Sequence, residues 1–264
     1  MAGTNGKGSF SGAMSNILTC AGYKTGLFTS PYVISFGERI QIDGKYISDE
    51  SLCSLTEEIK EKTASLPERM MPTVFEFITV LAMVYYEREG CDIVVLEAGI
   101  GGEHDSTNVI PSSVASVIMS VSLDHTEMLG DTTEKIAEEK SGIIREGGIT
   151  VSYPVDREKK YFTGQDEDAF RVIKQKAQEK KSAFYSPDTD KLMVIKSDIN
   201  GTDFTYRHLK LHTSLQGDHQ VANMLTVAEC ALALKEKGEK ITDEDIERGI
   251  ASFSVPCRME KVSD

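Results

Sequence analysis

The chain opens with "MAGTNGKGSF", a glycine-rich stretch whose residue types suit the binding of a phosphate group. Backbone amides approach phosphate oxygens closely only where no Cβ intervenes, and Gly3, Gly6 and Gly8 meet that condition. Lys7 supplies a positive charge, and Ser9 begins a predicted helix whose N-terminus adds further donors. The spacing differs from a standard Walker A motif, because Gly8 separates Lys7 from Ser9. The alternative is a glycine-rich loop that simply leads into a helix.

A second group of polar residues lies at the ends of two apolar runs. Glu97 ends "CDIVVLE", and Asp124 and His125 follow "VASVIMSVS". Ligands of open α/β sheets bind outside the carboxyl ends of the strands, and a carboxylate there is a natural ligand for Mg²⁺. The alternatives are an ion-paired glutamate and a structural histidine. On local sequence, Lys140 is a solvated surface lysine no different from Lys135.

Strand and helix signals alternate through the first half of the chain. The predicted strands span residues 25–30, 91–99, 114–122 and 148–155, and the predicted helices span 9–21, 73–89 and 132–144. Ser30 and Pro31 end the first strand, and the stretch after them, "YVISFGERIQIDGKYIS", is open to interpretation as an ordinary loop. The alternation predicts a parallel, doubly wound α/β sheet.

The pattern changes after about residue 185. "KLMVIKSDINGTDFTYRHLKLHTSL" predicts a small antiparallel ribbon with Asn200-Gly201 as its turn. A helix over 218–238 follows, and Thr242 with Asp245 forms a capping box for one more. The ribbon and the parallel sheet together predict one domain.

Composition narrows the function classes. The 264 residues carry a net charge of -13, which argues against a nucleic-acid partner. Five cysteines, with no CxxC pair, favour reduced thiols and a cytoplasmic location over structural zinc or a disulfide framework. The sequence shows neither an apolar run of transmembrane length nor a signal peptide, so no membrane association is expected.

Taken together, the motifs resemble the folylpolyglutamate synthase and dihydrofolate synthase family of the Mur ligase superfamily. They occur in that family's order, as "AGTNGKGS", "FTSP", "GERI", "FEF", "LEAGIGG", "LDH", "HQVAN" and "VPCR". The resemblance implies a P-loop NTPase-like fold, the Mur ligase central ATPase domain. It also implies that ATP phosphorylates a folate or dihydropteroate carboxylate and that L-glutamate then displaces the phosphate.

The resemblance assigns roles to individual residues. Ser30 and Glu97 would bind one Mg²⁺, and His125 would bind a second together with Lys140 as a carbamate. Lys7, Lys140, His125 and Arg258 are the predicted catalytic residues. ATP would be bound by Gly3, Thr4, Asn5, Gly6, Lys7, Gly8 and Ser9 at its phosphates, by Asn223 at its adenine and by Arg258 at its phosphates. The predicted pterin-site residues are Thr73, Val74, Phe75, Glu76 and His104.

The resemblance also sets expectations for the chain as a whole. Residues 1–264 are expected to form the central domain without its first strand and without a C-terminal glutamate-ligase domain. We therefore expect a monomer that binds ATP and Mg²⁺ weakly and does not complete ligation alone. Glu103 and Cys257 depart from the family pattern, which has Arg and Gly there. A non-catalytic nucleotide-binding domain, another Mur-type ligase and a small-molecule kinase remain as alternatives.

Overall fold

A computed structural model describes residues 1–156, 158 and 160–255 of the chain. The strands are β1 (Thr25–Phe28), β2 (Ile40–Ile42), β3 (Lys45–Tyr46), β4 (Ile93–Leu96), β5 (Ala115–Ile118), β6 (Ile149–Ser152), β7 (Ala183–Tyr185), β8 (Leu192–Asp198), β9 (Gly201–Tyr206) and β10 (Leu209–Thr213). The helices are α1 (Lys7–Cys20), α2 (Asp49–Thr63), α3 (Val74–Arg88), α4 (Thr126–Leu129), α5 (Thr133–Ser141), α6 (Glu167–Glu179), α7 (Asp218–Glu236) and α8 (Asp243–Ala251). None of the described helices is long and apolar enough to cross a lipid bilayer.

The strands form three sheets. The first has the order β3-β2-β1-β4, with β1 and β4 parallel and β2 and β3 antiparallel at the edge; the second is the all-parallel β5-β6-β7. The third is the antiparallel meander β10-β9-β8. The α/β fold with a parallel sheet and a small antiparallel ribbon is therefore confirmed.

The first two residues join the two parallel parts. The Met1 nitrogen donates to the Leu96 carbonyl at 2.7 Å, and the Ala98 amide donates to the Met1 carbonyl at 3.0 Å. On the other side, Ala2 exchanges hydrogen bonds with Val117 and Met119 at 2.9 and 2.8 Å. The predicted phosphate loop thus starts between the carboxyl ends of β4 and β5.

Two local predictions need correction. The stretch after Pro31 is not an ordinary loop throughout, because β2 and β3 form a hairpin in which Asp43 and Gly44 both have positive φ. The ribbon turn lies at residues 199–200, one residue before the predicted Asn200-Gly201. Gly201 belongs to β9, where a Cβ would come within 2.2 Å of the Thr213 carbonyl oxygen of β10.

The main core lies between the parallel strands and the meander. Helix α7 is buried along nearly its whole length because it contacts β5, β6 and β7 on one side and β10 on another. Helix α1 packs on α7 and α8, with Phe10, Ile17 and Leu18 buried. The predicted capping box forms at the start of α8, between Thr242 and Asp245. This core fixes α1 and α7, the two helices that carry the predicted nucleotide residues.

Candidate functional site

The predicted phosphate loop ends in the N-terminus of α1. Gly6 is the N-cap with φ 82°, and no described side chain caps this end of the helix. The first-turn N–H groups and the helix dipole therefore favour an anion here. The Lys7 ammonium folds back over the loop and donates to the carbonyls of Gly3 and Thr4 at 3.1 and 3.2 Å. The loop is thus held in a closed shape by the same cation that would meet a phosphate.

Two of the loop's glycines are required by close contacts. A Cβ on Gly6 would lie 2.4 Å from the Asn223 Oδ1, and one on Gly3 would lie 2.6 Å from the Met119 Cβ. Asn223 is buried on α7, and its Nδ2 donates to the Gln220 Oε1 at 2.9 Å. The contact with Gly6 places the predicted adenine-binding residue directly against the loop.

Glu97 follows β4 and carries the buried carboxylate of this edge of the sheet. Its side chain is 3% exposed, and its Oε2 accepts from the Ser30 amide at 3.4 Å. A Cβ on Gly8 would stand 3.9 Å from the same oxygen. The predicted first magnesium residues, Ser30 and Glu97, therefore lie together beside the phosphate loop.

Lys140 is not the solvated lysine that its local sequence suggests. It is 3% exposed, and burial lowers the pKa of its amine to about 8, followed by repulsion from Lys7. Asp124, Glu139 and Asp105 oppose this lowering of the pKa. Lys135, by contrast, is exposed and pairs with the Asp131 carboxylate. Tertiary packing, and not local pattern, distinguishes the two lysines.

His125 lies after β5, at the same edge of the sheet. It takes a left-handed conformation with φ 47° as the N-cap of α4. Its amide donates to the Asp124 Oδ1 at 2.9 Å, and its Nε2 stands 3.7 Å from the Asp124 Oδ2. Asp124 therefore contacts the predicted metal-binding histidine and also acts to raise the pKa of Lys140.

One cleft of ≈ 940 Å³ collects nine of the predicted site residues. Its wall continues past the loop along the ends of β5 and β6 to α7. The predicted residues that line it are Thr4, Asn5, Gly6, Lys7, Gly8, Ser9, Ser30, Glu97 and Asn223. A cleft of this size accommodates a nucleotide-sized ligand.

The predicted pterin-site residues lie outside the lining of this cleft. Thr73 and Glu76 form a capping box at the start of α3, and Val74 is exposed. Phe75 packs on Gly99, where a Cβ would come within 2.8 Å of its ring. His104 is exposed and its Nδ1 stands 3.2 Å from the Glu139 Oε2. A pterin-binding role for these residues stays a prediction, and Arg258 and Cys257 lie outside the described residues.

Sequence reasoning missed the residue that shapes the loop after Glu97. The Asp105 Oδ2 accepts from the amides of Gly99 and Ile100 at 2.9 and 3.0 Å. Its Oδ1 accepts from the amide and hydroxyl of Thr107 at 2.9 and 2.6 Å. The signal in the sequence was an Asp two residues before a Thr, a common local hydrogen-bonding pair.

Known proteins are similar to this chain in both sequence and fold. Folylpolyglutamate synthase of Lacticaseibacillus casei is 36% identical over 274 aligned positions, which cover 99% of this chain and 61% of that synthase. A solved FPGS-AMPPCP-folate complex superimposes with a TM-score of 0.83 at 33% identity, over 99% of this chain and 64% of that one. E. coli FolC in complex with DHPP and ADP superimposes with a TM-score of 0.80 at 28% identity, over 100% and 58%.

The chain spans about three fifths of the length of the first two curated relatives that it matches. The profile of the Mur ligase middle domain matches residues 1–231, from the phosphate loop through most of α7. The chain therefore belongs to the family of Mur ligase middle domains.

Proposed function

We propose that this chain is the ATP-binding part of a ligase that joins L-glutamate to the carboxylate of folate or dihydropteroate. The observation that carries the proposal is the single cleft in which the phosphate loop, Glu97 and Asn223 meet. The names of the relatives support the substrate class, because solved relatives hold AMPPCP with folate and DHPP with ADP.

The loop residues have defined tasks in this proposal. The α1 N-terminus and Lys7 hold the ATP phosphates, and Lys7 exchanges its loop carbonyls for phosphate oxygens. The acceptor carboxylate attacks the γ-phosphorus, the bond from the bridging oxygen to the γ-phosphorus breaks, and ADP and an acyl phosphate form. The amino group of glutamate then attacks the acyl carbon, the amide bond forms and phosphate leaves. Charge builds on the transferring group, so the cation beside it stabilises the transition state.

The acidic end of the cleft fits Mg²⁺. Glu97, whose carboxylate lies beside the Ser30 amide, would supply a carboxylate oxygen, and Ser30 would supply a hydroxyl. Hard oxygen donors are what this ion prefers. Mg²⁺ would neutralise charge on the transferring phosphate. Glu97 is buried and lies beside Gly8, so this chain holds the carboxylate next to the phosphate site before any ion binds.

Lys140 is proposed to react with carbon dioxide and become a carbamate. Its neutral amine attacks the carbon, an N–C bond forms as one C=O π bond opens to leave its electron pair on oxygen, and an N–H proton passes to solvent. With a pKa of about 8, roughly a tenth of the amines are neutral at about pH 7, against fewer than about one in a thousand for an ordinary lysine. The product is an anion, so the repulsion between Lys140 and Lys7 becomes an attraction.

The carbamate is tested by carbon-13 NMR of the chain in ¹³C-bicarbonate buffer. We expect a carbamate resonance in the wild type and in Lys135→Gln, which changes an exposed lysine of the same helix. Lys140→Gln should lack the resonance. A spectrum that is the same for both variants would remove Lys140 from the second metal site.

The substrate class is tested by calorimetry of the chain saturated with AMPPCP and Mg²⁺. Dihydropteroate or folate should bind to this complex, and a cell-wall muropeptide precursor should not. Binding of the muropeptide alone would favour another Mur-type ligase. Absence of nucleotide binding altogether would favour a domain that has lost its activity.

A further inference from the structure

Three metal-ligating side chains meet on the surface beside α5, outside the cleft. Glu103, His104 and Glu139 each offer one ligand atom, and these atoms all lie within 4.8 Å of one another. The set is not merely acidic, because His104 adds an imidazole nitrogen. Within the described part of the chain, this is the one such cluster of His, Cys, Asp and Glu side chains.

The backbone already holds the three residues together. The Glu103 amide donates to the Glu139 carbonyl at 2.9 Å, and the His104 amide donates to the Glu139 Oε1 at 3.2 Å. The stem of Glu103 lies against Gly142, where a Cβ would come within 2.2 Å of the Glu103 Cβ. The ligand atoms therefore come from two segments that backbone hydrogen bonds and close packing hold side by side.

The imidazole is the group that selects the ion. Its Nδ1 stands 3.3 and 3.2 Å from the two oxygens of Glu139. Ligands bound to one Zn²⁺ at about 2.1 Å in a tetrahedron stand about 3.4 Å apart, so this pair has the separation of bound ligands. Imidazole with carboxylate suits Zn²⁺, whereas Mg²⁺ prefers oxygen ligands alone.

We propose that Glu103, His104 and Glu139 form a surface site for Zn²⁺ with an open position for water. The ion would join the loop after Glu97 to α5, which carries Lys140 at the neighbouring position. Zinc would thereby stiffen the connection between this loop and α5. The site does not depend on the proposed ligase activity.

The experiment is calorimetry of the chain with Zn²⁺ in buffer saturated with Mg²⁺. The variants are His104→Ala and Glu139→Gln, and the matched control is His212→Ala, whose exposed imidazole faces a single carboxylate at 2.7 Å. We expect the wild type and His212→Ala each to bind one equivalent of Zn²⁺. The affinity for Zn²⁺ should fall at least about tenfold in both site variants. His125→Ala should retain it, which separates this site from the predicted second magnesium site.

Thermal unfolding supplies a second readout. Zn²⁺ should raise the midpoint of the wild type and of His212→Ala, and leave that of His104→Ala unchanged. Equal zinc stoichiometry and affinity in the wild type and both site variants would overturn the proposal. That result would leave His104 free for its predicted place beside the pterin.

Discussion

Substitution of Gly6 tests the contact that joins the phosphate loop to α7. In Gly6→Ala, a side chain at φ 82° costs about 1–2 kcal/mol from the left-handed backbone alone. The new Cβ also lies 2.4 Å from the Oδ1 of Asn223, which is buried and bonded to Gln220 and so has little room to yield. Overpacking of this kind costs about 1–3 kcal/mol more. We therefore expect Gly6→Ala to lower the free energy of unfolding by about 2–5 kcal/mol in total.

Gly22→Ala is the matched control. Gly22 has φ 89°, and no described atom lies within 4 Å of the position that its Cβ would take. Gly22→Ala should therefore lower the free energy of unfolding only by the cost of the left-handed backbone, about 1–2 kcal/mol. Urea unfolding of both variants measures the difference. Asn223→Ala in the Gly6→Ala background should recover about 1–3 kcal/mol as a coupling energy. Equal destabilisation by Gly6→Ala and Gly22→Ala, with no coupling to Asn223, would refute the contact.

Three further predictions concern side chains that hold loops and helices. Asp105→Ala should lower stability by about 2–4 kcal/mol in urea unfolding, because three amides and a hydroxyl lose a charged acceptor. Tyr206→Phe should lower the free energy of unfolding by about 1–2 kcal/mol, because the hydrogen bond to the buried Glu229 is lost. Tyr185→Phe, whose hydroxyl makes a 3.4 Å contact with Glu236, should lower it less. Equal losses in the two variants would contradict this prediction. Three backbone amides lower the pKa of Glu38 below 4.5, so its contribution is complete above that pH and is lost as the pH falls through the lower folded-state pKa. Urea midpoints of wild type and Glu38→Gln should therefore converge on acidification, and a constant difference would refute the prediction.

Local pattern was sufficient for most of the fold. Apolar runs without alternation became β4 and β5, since buried parallel strands need apolar side chains on both faces. The β2–β3 hairpin was missed because its strands have only three and two residues. The Asp43-Gly44 pair between them is a recognised hairpin signal, and both residues take the positive φ that such a turn requires.

The site was less accessible to sequence reasoning. Residue type and position singled out Lys7 and Glu97 as ligand-binding candidates, and the family resemblance added Asn223. The structure places all three on the wall of one cleft. The burial of Lys140 was not readable from the sequence of its helix. The loop after Glu97 packs closely on this helix, and a Cβ on Gly102 would lie 2.7 Å from the Lys140 carbonyl oxygen. Burial and the distant Lys7 lower the pKa of the Lys140 amine. The helical pattern around Lys140 does not indicate such contacts between distant segments.

The proposed function requires that the loop leading into α1 binds the phosphates of ATP in the cleft beside Glu97. Calorimetric titration of the chain with ATP and Mg²⁺ tests it most directly, with Lys7→Ala beside Lys62→Ala, an exposed lysine paired with Glu58. This phosphate-binding role predicts that the wild type and Lys62→Ala bind ATP alike and that Lys7→Ala loses measurable binding. ATP affinity that is unchanged in Lys7→Ala would contradict it.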